Sequence, residues 1–245
     1  MSTEGRPRIA LLVTCLAEAF APQVAECAAQ LVEAAAAADV VLLGGCCGQP
    51  AWNAGHPGPA RRLARRLIPR LAEYDETVVP SGSCATMLIR YYPHLFPRTD
   101  PLHATAQRVA AHTSELSAFL AAHGLPAVPA DLPGHAAFHP SCHSLRGANV
   151  GDAGERCLQA AGCELCTQSD AHECCGFGGL FAVKQSALSL AMADHKLDAL
   201  VASGADTVVA GELGCLLHLE GRARRRELPL RFRHLAEVLR GEAGE

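Results

Sequence analysis

Twelve cysteines lie in this 245-residue chain, and eight of them form two matching frames. Cys46-Cys47-Gly48 has Cys15 before it and Cys84 after it, and Cys174-Cys175-Gly176 has Cys142 before it and Cys215 after it. Cys142 lies 127 residues after Cys15, Cys174 and Cys175 lie 128 after Cys46 and Cys47, and Cys215 lies 131 after Cys84. Burial of small hydrophobic thiols predicts no such register, whereas a duplicated architecture does. Thiolates gathered by an architecture hold a soft metal or do redox chemistry, and a four-iron cluster takes four of them. The candidate metal ligands are therefore Cys15, Cys46, Cys47 and Cys84 in one frame and Cys142, Cys174, Cys175 and Cys215 in the other. The expected cofactor is an iron–sulfur cluster of the [4Fe-4S] type, at most one per frame. Glycines beside the triplets, such as Gly45 and Gly178, let the backbone turn sharply and aim N–H groups at sulfur.

The remaining cysteines have no echo. Cys27, Cys157, Cys163 and Cys166 are expected to be ordinary thiols, because no cysteine stands 128 residues from any of them. Cys163-x-x-Cys166 has zinc-like spacing, but a zinc site takes two further ligands.

Polar residues crowd the frames. Gln49, Asn53, Ser81, Ser83, Thr14 and Ser141 are candidates to hydrogen-bond sulfur, and equally candidates for turn and cap chemistry. His143, beside Cys142, is a candidate proton carrier or spare ligand. Lys184 closes the loop after the second triplet, where it would bind a carboxylate or stand in solvent. Trp52 either shields the first site or packs beside it. Arg61, Arg62, Arg65 and Arg66, and the run Arg222, Arg224, Arg225 and Arg226, are solvated faces or docking surfaces for an acidic partner.

Composition bounds the setting. A chain of this length buries enough surface to fold without disulfides. No signal-peptide pattern and no membrane-spanning apolar run is visible, so the expectation is a cytoplasmic protein whose thiols stay reduced. The net charge of −4, with 4% aromatic residues, gives no support to nucleic-acid binding. The first strand is followed by no Gly-x-Gly-x-x-Gly, so no dinucleotide fingerprint is read.

The elements that must position the cysteines alternate in type. Short apolar runs predict buried strands at Arg8–Val13, Val40–Leu43, Thr77–Val79, Ala136–His139, somewhere in Cys163–Thr167, at Asp206–Ala210 and at Leu228–Phe232. Helical spacing predicts helices over Pro22–Ala38, Pro59–Glu73, Leu102–His123, Asp152–Ala161, Gln185–Ala202 and His234–Arg240. This alternation predicts an α/β fold of two tandem, duplicated, Rossmann-like parallel-sheet lobes, residues 1–128 and 129–245, joined through Gly124–Gly134. The framed cysteines then fall at the carboxyl ends of strands, where ligands of such sheets bind.

The runs Thr14-Cys15-Leu16, Cys46-Cys47-Gly48-Gln49-Pro50-Ala51-Trp52-Asn53-Ala54-Gly55 and Pro80-Ser81-Gly82-Ser83-Cys84 resemble the lactate-utilisation protein A family. So do Ser141-Cys142-His143, Cys174-Cys175-Gly176-Phe177-Gly178-Gly179, Val183-Lys184 and Gly214-Cys215-Leu216. The wider group of CCG-domain proteins includes one component of heterodisulfide reductase and the iron–sulfur subunit of glycolate oxidase. The resemblance implies an iron–sulfur electron-transfer subunit of a multi-subunit system oxidising L-lactate to pyruvate. Its partners would be other lactate-utilisation subunits, among them a second iron–sulfur protein, and the resemblance leaves room for the catalytic centre for lactate to lie in one of them. One departure stands out: larger relatives close each half with Cys-x-x-Cys, and here the fourth positions are Met87 and His218. Two other classes of function stay open. One is thiol–disulfide chemistry of the heterodisulfide-reductase kind; the other is a zinc-bound or metal-free scaffold that recruits partners.

Overall fold

A computed structural model describes residues 5–124, 132 and 134–241. The first half runs β1 (Arg8–Val13), α1 (Cys15–Phe20), α2 (Gln23–Ala36), β2 (Asp39–Gly44), α3 (Gln49–Asn53), α4 (Pro57–Leu71), β3 (Glu76–Val79) and α5 (Gly82–Thr86). A π-helical turn at Met87–Tyr91 leads to α6 (Tyr92–Leu95), α7 (His103–Ala111), β4 (Thr113–Glu115) and α8 (Leu116–His123). The second half runs β5 (Ala136–Phe138), α9 (Cys142–Arg146), α10 (Ala153–Ala160), α11 (Leu180–Lys184), α12 (Ser186–Ala202), β6 (Thr207–Ala210), α13 (Leu213–Arg225), β7 (Arg231–His234) and α14 (Leu235–Arg240).

Two parallel sheets result, ordered β2-β1-β3-β4 and β5-β6-β7. Leu165 adds a single parallel bridge to Ala136, on the edge of β5 that corresponds to the β2 edge of β1. Strand order is thus the same in both halves, with β2 reduced to one bridge in the second. The α/β fold with two duplicated parallel-sheet lobes is the architecture that the alternating pattern predicts. The segment read as the junction lies mostly outside the described residues.

Alternation along β1 sends Ile9 and Leu11 to one face of its sheet and Ala10 and Leu12 to the other, all buried. The inner faces share one core. Leu31 and Val32 of α2 and Phe119 of α8 pack there with Phe138, Leu158 of α10 and Leu235 and Val238 of α14. Across it α2 meets α14 and α8 meets α10. Each outer face has its own core, under α4 and α7 in the first half and under α12 and α13 in the second. The crossed pairings are those of a pseudo-two-fold, in which an element of one lobe touches the counterpart of its neighbour in the other.

Three expectations change. The helix expected over Leu102–His123 is α7, β4 and α8. Glu115 interrupts it, its carboxylate accepting from Ser117 N at 2.8 Å and Ala118 N at 3.3 Å to start a new helix. Thr113–Glu115 meanwhile pairs with β3 and widens the sheet. β2 is a sheet edge rather than a buried strand, with Leu42 46% exposed, because an apolar run does not reveal which edge a neighbour covers. The last strand begins at Arg231 rather than Leu228, since α13 runs to Arg225 and a turn follows.

Candidate functional site

Both sheets point their carboxyl ends into one cleft of about 180 Å³ between the lobes. All of the framed cysteines except Cys46 line it, with Thr14, Gln49, Asn53, Ser81, Ser83, Ser141, His143 and Glu212. The two quartets therefore face each other across a shared space, which the sequence pattern alone does not show.

Within each quartet the thiols form a chain of neighbours. Cys47 Sγ lies 3.2 Å from Cys84 Sγ, and Cys175 Sγ lies 3.1 Å from Cys215 Sγ. Cys46 joins Cys15 to Cys47, and Cys174 joins Cys142 to Cys175. The inner pairs are buried; Cys15 is exposed, and Cys46, Cys142 and Cys174 are half-buried. Gly48 N donates to Cys46 Sγ and Gly176 N to Cys174 Sγ, each at 3.4 Å; Phe177 N donates to Cys175 Sγ at 3.5 Å. The triplet glycines have φ of 89° and 88°, a region that L side chains rarely adopt. A Cβ on Gly48 would meet Ala60 O at 3.1 Å, and one on Gly176 would meet Ser189 O at 2.5 Å.

Electrostatics repeats with the geometry. The Cys46 thiol is held well below its ordinary value, first by the Cys15 thiol, then by Cys47 and the Gly48 N–H. Cys174 is held down in the same way by Cys142, Cys175 and Gly176 N–H. Cys15 and Cys142 are pushed up, chiefly by hydrogen bonding to those neighbours and then by burial. Each quartet thus has one thiol ready to ionise and others that donate to it. Four neighbouring thiols that accept from backbone N–H groups are, in kind and number, the donors that an iron–sulfur cluster or zinc takes.

The neighbouring polar residues divide by role. Thr14, Ser81 and Ser141 accept from the backbone at the starts of α1, α5 and α9 (Ala17 N, Cys84 N and Ser144 N), so cap chemistry is present at the very helices that carry Cys15, Cys84 and Cys142. Ser83 N and Ser81 Oγ donate to Glu212 at 2.7 and 2.9 Å, closing the cleft floor between lobes. His143 Nδ1 lies 3.6 Å from Cys142 Sγ. Gln49 and Asn53 line the cleft, and Gln49 Nε2 is buried without a hydrogen-bond partner. Lys184 stands exposed at the end of α11 and is not among the lining residues. Trp52 packs on Tyr91 with ring centroids 5.0 Å apart. Arg222 and Arg226 are tied to Asp194, and Arg65 to Asp100, while Arg61, Arg62 and Arg66 are exposed.

Three residues at the site carry no motif that singles them out. Glu212 sits in the last glycine loop, where only its lobe-crossing bonds reveal it. His139 is fully buried behind the second quartet, its imidazole pushed down to about 3 by burial and then by Lys196. Lys196, also buried, donates to Gln168 Oε1 at 2.9 Å, Asp170 O at 3.1 Å and Ala171 O at 2.9 Å. A helical lysine and one histidine among twelve give no signal before the fold is known. Cys27 and Cys157 are buried in the shared core, and Cys157 donates to Ser117 O at 3.6 Å. Cys163 and Cys166 join no cluster of three donors among the described residues.

A protein built from two such halves falls in a defined class: the family model described as "Cysteine-rich domain" matches residues 9–89 and again 136–220, starting on β1 and on β5. Lactate utilization protein A of Geobacillus kaustophilus is 40% identical over 95% of this chain and 98% of its own length. The Macrococcus caseolyticus protein of the same name is 37% identical over 96% and 97%. The chain belongs to this cysteine-rich, lactate utilization protein A family. Among solved structures, a candidate Asp/Glu racemase from Yersinia pestis aligns with 96% of each chain, at 11% identity and a TM-score of 0.38, too slight a likeness to bear on fold or chemistry. Among the described residues no helix is long and apolar enough to cross a membrane.

Proposed function

We propose that the chain is an iron–sulfur electron-transfer subunit of a cytoplasmic, multi-subunit system that oxidises L-lactate to pyruvate. Cys15, Cys46, Cys47 and Cys84 would hold one [4Fe-4S] cluster, and Cys142, Cys174, Cys175 and Cys215 another. The observation that carries this reading is the gathering of two cysteine quartets at the carboxyl ends of both sheets, seven of the eight thiols lining one cleft and Cys46 joining Cys15 to Cys47 behind it. The names of the relatives supply the substrate. A cluster bound there supplies one-electron transfer. Gly48, Gly176 and Phe177 present N–H groups that stabilise negative charge on sulfur, and the buried inner thiols keep water from half of each ligand set. Chemistry on lactate itself is assigned to a partner subunit, with a second iron–sulfur protein among the partners.

Anaerobic purification followed by iron and acid-labile sulfide analysis tests this reading. About four irons and four sulfides per loaded half are expected, with a paramagnetic signal on reduction. Stoichiometric zinc without sulfide would replace it with a zinc-bound scaffold. The lowered thiols of Cys46 and Cys174, each next to a second thiol, favour one further reading. Each vicinal pair could close to a disulfide, releasing two electrons and two protons. Titration before and after mild oxidation would then show two thiols lost per triplet.

A further inference from the structure

The second quartet has a neighbour that the first lacks. His139 directly follows β5 and is 1% exposed, and neither ring nitrogen has a hydrogen-bond partner. One of its ring nitrogens forms, with Cys175 Sγ and Cys215 Sγ, a set whose members lie within 4.8 Å of one another. Among the described residues no other three His, Cys, Asp or Glu donors gather so closely. A buried polar side chain without a partner calls for a cause, and an ion is one such cause.

The fold does not ask for an imidazole here. The strand is held by His139 N donating to Val209 O at 2.8 Å, which any residue other than proline would supply. In the first half the residue three places before the leading cysteine is Leu12, fully buried in the same cluster as Cys47 and Cys84. Neutral imidazole is a ligand for iron and zinc, and it occurs beside thiolate in mixed iron–sulfur centres, where it raises the reduction potential.

We propose that His139 is a nitrogen donor to the metal centre of the second quartet, alongside Cys175 and Cys215, so that the two centres differ in ligand chemistry. The first would be bound by four sulfurs, and the second by Cys175, Cys215, His139 and one of the half-buried thiols Cys142 and Cys174, because such a cluster offers four ligand positions. This rests on the iron–sulfur reading above and adds a direction to it: the second centre has the higher potential, so electrons run from the first half to the second.

The test uses the full chain, grown with ¹⁵N-histidine or unlabelled, loaded anaerobically with iron and sulfide, and reduced. Pulsed paramagnetic resonance is recorded on it and on a C46S form that isolates the second centre. Expected is the strong hyperfine coupling of a bound nitrogen that changes with the isotope and vanishes in H139L and H139C. H139C, which restores a sulfur donor, keeps its iron and lowers the midpoint potential of the second centre. Iron and sulfide present with no histidine coupling, or coupling that persists in H139C, would overturn the assignment and leave the iron–sulfur reading standing. Absence of iron and sulfide would remove both, and metal analysis alone separates that case.

Discussion

Behind the first quartet stand Leu12, Leu67 and the buried Tyr92, whose hydroxyl donates to Cys47 O at 3.0 Å, whereas behind the second stand a buried histidine and a buried lysine. Leu12 in the first half corresponds to His139 in the second. Ala60 and Ser189 each bring a carbonyl against the triplet glycine, and seven residues further along their helices stand Leu67 and Lys196. Both then reach the loop ahead of their triplet: Leu67 lies over Gly45, and Lys196 holds Gln168, Asp170 O and Ala171 O. A polar difference that runs the other way is Gln49, standing where the second half has Phe177. An amide nitrogen only donates, so Gln49 Nε2 can satisfy a sulfur but cannot bind a metal, whereas an imidazole can. Sulfur positions, glycine φ and N–H donors are nearly the same in both halves, so duplication conserved the cradle while its surroundings diverged. Surroundings are what tune a bound centre, so two centres held in these cradles would be unequal.

The strongest way to break this comparison is to remove one thiol from each half in turn. Cys46 and Cys174 occupy the same place, each bridging two neighbouring thiols. C46S and C174S are each expected to lose about half of the bound iron and one of two paramagnetic signals, since a cluster short of a thiolate is poorly held. The remaining signal identifies the surviving half. Loss of all iron in either variant would mean a single centre shared across the cleft, and the contrast between halves would then describe one site.

The frames of cysteines were legible because a nearly constant offset between four pairs of cysteines is information that no local propensity carries. β1, β3, β5 and β6 were legible because strands buried on both faces read as unbroken apolar runs. What pairs across the lobes was not legible. Nothing in the register shows that Ser81 of one half meets Glu212 of the other, because the pseudo-two-fold brings together residues 131 apart in sequence. His139 was hidden for a different reason. A histidine three residues before Cys142 looks like any other until burial strips its ring of partners. The break of the helix expected over Leu102–His123 is a case of tertiary pairing overriding helical spacing, with β3 waiting for a fourth strand.

The caps that end β4 and β7 sharpen the contrast away from the thiols. Glu115 starts α8 with a carboxylate, and His234 starts α14 with Nδ1 accepting from Ala236 N at 3.1 Å. Both lie buried beneath the cleft floor. Burial pushes Glu115 up to about 7, and the nearby Glu212 adds to it, against the donors Ser117 and Ala118. A carboxyl raised on folding contributes stability that is complete below its unfolded value near 4.5 and is lost as pH climbs through 7. Between those limits the loss amounts to about 3 kcal/mol. Glu115→Gln keeps an oxygen for the cap and should remove that slope, so the variant gains on the parent as pH rises from 5 to 8. Parallel denaturation curves for the two proteins across that range would show the pH-dependent loss to come from elsewhere, though not from His234, whose imidazole is pushed down by burial, so that its contribution grows as pH rises.

The smallest effect tests whether one residue accounts for the inequality of the halves. Leu12→His copies the second wall into the first. In the metal-free chain it replaces a fully buried leucine with an imidazole that has no partner, and leaving such a group unsatisfied costs about 1–3 kcal/mol. Loading with iron should return part of that loss, because a ligand bound only by the folded state stabilises it. The same sample, carrying C174S to silence the second centre, should acquire nitrogen coupling and a raised potential. If iron is retained with neither change, position alone does not make a donor, and the orientation of His139 must depend on its own surroundings, with Lys196 and the loop it holds the first to vary.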